Sequence, residues 1–137
     1  MAYFTVEDLK TGNPLIDEQH KQLISGVNDL LAVCRQRRTE QFESGLAFIR
    51  YYTAKHFFDE EVLQIRYGYP GYAAHRASHD EFKITIRNFV LDLQENGGNL
   101  EDRAALYIGE WLVDHIRTED MDLARHLAKE TKIAIPA

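Results

Sequence analysis

The stretch HFFDEEVLQIRYGYPGYAAHRASH, residues 56–79, contains both the pattern that sets the fold and the residues that conflict with it. His56 and Glu60 lie four residues apart in one predicted helix, and His75 and His79 lie four residues apart in the next. Side chains at this spacing share one helix face, and here that face continues the apolar seam of each helix. An imidazole or a carboxylate on a packing seam is costly to bury unless something binds it.

Apolar residues recur in alternating steps of four and three along four segments, which is the period of amphipathic helices. Glycines and prolines separate the segments, most clearly at Gly68-Tyr69-Pro70-Gly71. Asp17 is expected to cap the first helix and Asn99 the fourth. The pattern predicts one all-α domain, an up-down-up-down antiparallel four-helix bundle. It comprises residues 1–137, with an irregular N-terminal arm at about 1–16 and helices at about 17–37, 40–66, 72–95 and 100–129.

Polar residues interrupt the apolar seam of every predicted helix. They are His20, His56, Glu60, His75, His79, His115 and Asp120. A count of ~1.5 Å of rise per residue along each helix places all of them at one level of the bundle. A single buried histidine is more often a hydrogen-bonded core residue, but five at one level would each need a separate partner. A metal centre inside the bundle accounts for all seven together.

The donor types restrict the metal. Imidazole and carboxylate without thiolate suit iron, and would also suit manganese or zinc. Seven ligands are too many for one ion and suit two. If each ion is about six-coordinate and both carboxylates and one oxygen atom bridge the pair, about one position stays open for a small ligand. A histidine-rich set donates less negative charge than a carboxylate-rich one, which favours binding of a small molecule over oxygen activation.

Asp120 provides a structural test, because it lies five residues after His115. In a regular α-helix it would point ~140° away from that histidine, so a shared metal centre predicts a π-bulge between them. The alternative is a solvated acid. Leu23 and Trp111, each one turn from a seam histidine, are expected either to wall a ligand pocket or simply to pack in the core. His126 has no matching partners and is expected on the surface.

Two acidic residues flank Glu60. Asp59 and Glu61 are expected to face solvent or neighbouring helices, although either could accept a hydrogen bond from a ligand histidine. Cys34 is the only cysteine, which excludes an internal disulfide and a thiolate cluster. It is expected to be a small core residue.

Composition excludes several classes of function. Of the 137 residues, 45% are hydrophobic and 28% charged, which is typical of a soluble globular domain. The net charge of −6 argues against nucleic acid or an anionic membrane as partner. No apolar run approaches the ~20 residues of a membrane span, and the start does not resemble a signal peptide. We therefore expect a cytoplasmic protein. No apolar surface stripe is evident, so a monomer is favoured.

Four motifs together resemble the hemerythrin family, in particular its single-domain bacterial members. They are IDEQH at 16–20, HFFDE at 56–60, YPGYAAHRASH at 69–79 and WLVDHIRTED at 111–120. The family pattern H, HxxxE, HxxxH, HxxxxD is filled in order, and the resemblance covers about residues 9–128. It implies two iron ions with a bridging oxo or hydroxo group. One iron would be saturated by His75, His79 and His115; the other, held by His20 and His56, would keep an open position; Glu60 and Asp120 would bridge them.

The resemblance also implies a function. Such a protein would bind O2 reversibly, for storage, transport or scavenging, and would not be an enzyme. Nitric oxide and small anions such as azide are further candidate ligands. The alternatives are O2, redox or nitric oxide sensing through a partner, a di-iron peroxidase or nitric oxide reductase, and iron handling. Many bacterial members carry a tryptophan near the N-terminus, where this chain has Tyr3 and Phe4. One of these aromatic residues is expected to pack on the bundle.

Overall fold

A computed structural model of the chain describes residues 4–5, 9–35, 39–96 and 100–131. Its helices are α1 (Pro14–Arg35), α2 (Thr39–Arg66), α3 (Tyr72–Asn96), α4 (Leu100–His115) and α5 (Met121–Thr131). A five-residue π-helical segment, Ile116–Asp120, joins α4 to α5, so these three elements form one long helix. The part of the chain that the model describes contains no strand.

The helices form the predicted bundle. Helix α1 packs against α2 and α4, and α3 packs against the same two helices. Sequential neighbours are therefore also spatial neighbours, as short connections require. The prediction of an all-α, up-down-up-down four-helix bundle is confirmed. Within the described ranges, no helix is both long enough and apolar enough to cross a membrane.

The first helix begins earlier than the sequence pattern indicates. Pro14 occupies the first helical position, for which its fixed φ is suited. Asn13 is the cap, because its Oδ1 accepts a hydrogen bond from the Ile16 N–H at 3.1 Å. Asp17 instead accepts hydrogen bonds from the backbone and hydroxyl of Thr11, at 2.8 and 2.7 Å. The expectation that Asp17 caps the helix is wrong; it fastens the arm to α1.

The N-terminal arm is anchored through Phe4. Its backbone N–H donates to Asn28 Oδ1 at 3.0 Å, and its carbonyl accepts from Asn28 Nδ2 at 2.9 Å. The ring packs on the main core and covers Gly109 of α4, where a Cβ atom would overlap it. The expectation that an arm aromatic packs on the bundle is confirmed. Tyr3 and the predicted Asn99 cap lie outside the described residues.

Two apolar clusters surround the level of the polar seam residues. The larger one contains Leu23 and Phe57 on one side of that level. The smaller one, formed by Ile16, Leu123 and Leu127, lies on the other side. The polar residues thus lie between two apolar clusters along the bundle axis.

Candidate metal centre

The seven predicted side chains meet in the interior of the bundle. Each is at most 3% exposed. Their donor atoms form two groups, and within each group these atoms lie within 4.8 Å of one another. The three-histidine group consists of Glu60, His75, His79, His115 and Asp120, and the two-histidine group consists of His20, His56, Glu60 and Asp120. Both carboxylates belong to both groups.

In the three-histidine group, ring nitrogens face one another. Nε2 of His115 lies 3.0 Å from Nε2 of His75 and 3.0 Å from Nε2 of His79. Three such nitrogens cannot all satisfy one another by hydrogen bonding, because each neutral ring has one N–H and one lone pair. Their convergence suits a cation bound between them.

Each carboxylate turns one oxygen to each group. Glu60 Oε1 lies 3.3 Å from His79 Nε2, and Glu60 Oε2 lies 3.4 Å from His56 Nε2. The two oxygens of Asp120 are also divided between the two groups. Its Oδ1 is 3.1 Å from His115 Nε2, and its Oδ2 is 2.8 Å from His20 Nε2. Each carboxylate therefore lies between the two groups, where its oxygens could contact a cation in either one.

Several of these donor atoms have no hydrogen-bond partner among the described residues. They are His56 Nε2, both oxygens of Glu60, and Asp120 Oδ1. An unpaired buried polar atom costs roughly 1–3 kcal/mol, and more when it is charged. These unpaired atoms all belong to the two groups of donor atoms. The imidazole and carboxylate set therefore fits a bound metal pair, and iron is among the metals that prefer it.

The π-helical segment brings Asp120 into the site. The wider turn at Ile116–Asp120 returns Asp120 to the face of His115, and the carboxylate is fully buried. The predicted irregularity between these two residues is confirmed, and the alternative of a solvated acid is wrong. A π-bulge at a functional position is a common finding.

Acidic side chains orient two histidines of the three-histidine group. His79 Nδ1–H donates to Glu61 Oε2 at 3.0 Å, and His115 Nδ1–H donates to Glu119 Oε2 at 2.8 Å. Ser78 donates to the same Glu119 oxygen at 2.8 Å. With Nδ1 as the donor, Nε2 of each ring carries the lone pair that a metal binds. Of the two roles considered for Glu61, the structure shows the histidine partner.

Glutamine amides orient two further histidines. His56 Nδ1–H donates to Gln19 Oε1 at 2.5 Å, and Gln19 Nε2 donates to Asp59 Oδ2 at 2.8 Å. The Gln64 side-chain amide lies 3.1 Å from His75 Nδ1. Asp59 therefore acts on His56 only through Gln19.

Sequence reasoning missed Gln19, Gln64 and Glu119. Glu119 is four residues after His115, and Gln64 is four residues after Glu60, so same-face spacing could have identified both. Gln19 reaches from α1 to α2, and no spacing within one helix predicts such a contact.

Burial has the largest single effect on the pKa of each of these buried side chains. It lowers the pKa of His56 to about 3 and that of His79 to about 2. Burial also disfavours a charged His115, but neighbouring carboxylates, first of all Asp120, outweigh it and raise the pKa to about 9. Burial and the nearby Asp120 raise the pKa of Glu60 well above its ordinary value. Burial disfavours ionised Asp120 too, yet His115 keeps its pKa well below the ordinary value. Neutral His56 and His79 retain the lone pairs that metal binding needs.

Aromatic rings cover the three-histidine group. Phe57 stacks on His79 with ring centroids 3.8 Å apart, and Trp111 stacks on His115 at 4.4 Å. Leu23 is fully buried in the main core. That Leu23 and Trp111 wall a ligand pocket stays a prediction. Phe57 was not singled out from the sequence, although it directly follows His56.

His126 lies apart from the metal centre. It is half-buried, and its Nε2–H donates to the Tyr67 carbonyl at 2.8 Å. The sequence indicated a surface histidine outside the predicted ligand set; the structure leaves it partly exposed, and this bond fastens α5 to the residue that follows α2. Such a contact joins residues far apart in the chain, so no local pattern indicates it.

Comparison with known proteins agrees with this geometry. Residues 11–127 match the model of the Hemerythrin HHE cation binding domain. The chain is 30% identical to bacteriohemerythrin from Stenotrophomonas maltophilia, over 86% of this chain and 76% of that protein. It is 32% identical to myohemerythrin from Sipunculus nudus, over 86% of this chain and 88% of that protein. A crystal structure of wild-type hemerythrin shares the fold, with a TM-score of 0.84, 23% identity, and coverage of 93% of this chain and 98% of that one. The chain belongs to the hemerythrin family.

Proposed function

We propose that this protein binds O2 reversibly at a di-iron centre, for oxygen storage, transport or scavenging. One observation carries the proposal: two groups of buried donors share both carboxylates but differ in their number of histidines. Relatives named bacteriohemerythrin and myohemerythrin support it.

The two groups assign the ligands. In this proposal His75, His79 and His115 hold one iron, and His20 and His56 hold the other. Glu60 and Asp120 bridge the pair. Support comes from the carboxylate oxygens, each of which faces the histidines of one group.

The open position follows from the unequal groups. Three histidines, two bridging carboxylates and one bridging oxygen complete about six positions at the first iron. At the second iron, two histidines leave about one position open. The iron pair would supply the electrons and the coordination site that O2 needs. The chain's own residues orient the ligands and exclude water, and no side chain is needed as a catalytic acid or base. Nitric oxide and azide are small enough to be further ligands of that position.

The function is tested by loading the metal-free protein with ferrous iron without air and then cycling it between air and argon. We expect about two irons per chain, and a visible absorption band that appears in air and disappears under argon over repeated cycles. Immediate permanent oxidation, with turnover of peroxide or nitric oxide, would instead identify a di-iron enzyme. The control is His126→Gln, which alters the histidine outside the centre and should behave as the unmodified protein.

A further inference from the structure

The outer face of α2 carries an apolar stripe that sequence analysis did not reveal. Five of the nine large apolar side chains that are exposed in the described ranges lie on this one helix. We call them the α2 stripe: Phe48 (44% exposed), Tyr51 (70%), Phe58 (65%), Val62 (40%) and Ile65 (64%). The expectation that no apolar stripe marks the surface is wrong. The inner face of α2 is also apolar. The sequence pattern therefore indicated the inner apolar seam and did not distinguish the second one on the outer face. Exposed apolar side chains that are grouped on one helix face, rather than scattered singly, make that face a candidate interaction site.

The α2 stripe is complementary to the same stripe on a second, antiparallel copy of the helix. Its residues follow the steps of three and four that pack one helix against another, with Lys55 at the remaining position. Reversal of the helix about the midpoint between residues 55 and 58 exchanges Phe48 with Ile65, and Tyr51 with Val62. The same reversal exchanges Lys55 with Phe58. A twofold interface requires this self-complementarity, because the same patch must serve both subunits.

Charge on the α2 stripe follows the same symmetry. Lys55 is 53% exposed and lies 3.4 Å from the Asp59 carboxylate, which is 31% exposed. In a reversed second copy, the ammonium of Lys55 would lie opposite the ring of Phe58 and beside the carboxylate of Asp59. A cation over an aromatic face is attracted to it, and the lysine stem covers apolar surface. The one charge inside the stripe therefore has an acceptor in a second copy.

We propose that this protein forms an antiparallel homodimer through the α2 stripe. The stripe is about 26 Å long at ~1.5 Å per residue and about 10 Å wide. That area is well below the roughly 800 Å² per partner of a standard stable interface. The dimer is therefore weak and depends on protein concentration. The proposal does not depend on iron or O2, since no ligand residue lies in the stripe.

The association is tested by light scattering or sedimentation of the iron-loaded protein from about 10 μM to about 1 mM, the range that a weak interface requires. We expect the mass to rise toward that of a dimer. Phe58→Glu should weaken association at least tenfold. The matched controls are Leu91→Glu on α3 and Leu106→Glu on α4, which are 49% and 45% exposed outside the stripe. Asp59 is left unchanged because it also holds Gln19.

A monomer at every concentration would overturn the proposal and leave the α2 stripe to a different protein. Equal weakening by Phe58→Glu and Leu106→Glu would also overturn it, because association would then not involve this face.

The register is tested by oxidative cross-linking. An equimolar mixture of Tyr51→Cys and Val62→Cys proteins should form disulfide-linked dimers that contain one chain of each. Either variant alone should not, because the antiparallel register separates like residues by about 16 Å along the helix. Cross-linking of each variant with itself but not with the other would contradict the antiparallel arrangement. The unmodified protein is the control for disulfide-linked dimers that form through Cys34.

Discussion

The two halves of the metal centre are built differently. In the three-histidine group, the Nδ1 atoms of His75, His79 and His115 each meet a side chain that orients the ring. In the two-histidine group, Gln19 orients His56, but His20 Nδ1 has no partner among the described residues. The rings of the three-histidine group are therefore oriented at every Nδ1, whereas one ring of the two-histidine group is not.

The two groups also differ in the side chains that surround them. Phe57 and Trp111 cover rings of the three-histidine group. In the two-histidine group, His20 and His56 meet each other edge to face with centroids 4.9 Å apart. His20 also lines a surface cavity of about 190 Å³ between the arm and α1, bordered by Leu9, Lys10, Pro14, Asp17, Glu18 and Lys21. This cavity is a candidate route by which a small molecule reaches the two-histidine group.

The largest expected effect comes from removing a carboxylate that both groups share. Glu60→Gln keeps the shape of the side chain but removes its negative charge, so neither iron should be retained. Iron analysis after gel filtration should give a value near zero, while the helical circular dichroism is unchanged. Retention of both irons by this variant would show that Glu60 does not bridge the two groups.

Removing a histidine should affect only its own group. His79→Gln should weaken iron at the three-histidine group by at least 100-fold, and His20→Gln should do the same at the two-histidine group, since even loss of a ligand's hydrogen-bond partner costs 10–100-fold. Each variant should therefore keep one tightly bound iron. Iron titration with a competing chelator measures this. If either variant loses both irons equally, the two groups are not separate sites.

The residues that orient the rings should have smaller effects. Glu119→Gln removes the charge that accepts the His115 N–H, and Gln19→Leu removes the acceptor of the His56 N–H. Each should lower iron affinity by about 10–100-fold, with Glu119→Gln acting on the three-histidine group and Gln19→Leu on the other. The same chelator titration separates the two, and the exposed substitution Glu130→Gln, far along α5, serves as control.

The smallest effect is on the pH dependence of the metal-free protein. Below pH 6.5 the unfolded chain protonates His56 and His79, whereas the folded chain keeps them neutral down to pH about 3 and about 2. Glu60 opposes this, because its raised pKa lets the folded chain hold one proton that the unfolded chain releases. The two histidines outnumber this one carboxyl group, so the free energy of unfolding should fall from pH 6 to pH 5, by on the order of 1 kcal/mol.

Urea unfolding at several pH values checks this slope. Glu60→Gln removes the opposing proton, so the free energy of unfolding of this variant should fall more steeply from pH 6 to pH 5. A free energy of unfolding that is constant or rises from pH 6 to pH 5 would contradict the burial of neutral His56 and His79.

The sequence predicted positions along each helix, and from them the common level of the seven polar residues, but not contacts that depend on how neighbouring helices are rotated. The four-residue spacing of His56 and Glu60 shows that they share a face, and the five-residue spacing of His115 and Asp120 required the π-helical segment that the structure contains. The spacing of residues along one helix does not predict how far that helix is rotated about its own axis. The reach of Gln19 from α1 to His56 depends on that rotation, and so does the exposure of the second apolar face of α2. The early start of α1 was missed because Asn13 and Pro14 were assigned to the arm.

The central claim, one open position in a centre of two irons, is tested most directly by the amount of O2 bound. Reduced, iron-loaded protein is titrated with oxygenated buffer while the visible spectrum is recorded, and the bound O2 is then removed under argon. The unequal groups predict an end point of one O2 for each pair of irons, with full recovery of the starting spectrum. An end point of two O2 per pair, or a spectral change that argon does not reverse, would contradict the account.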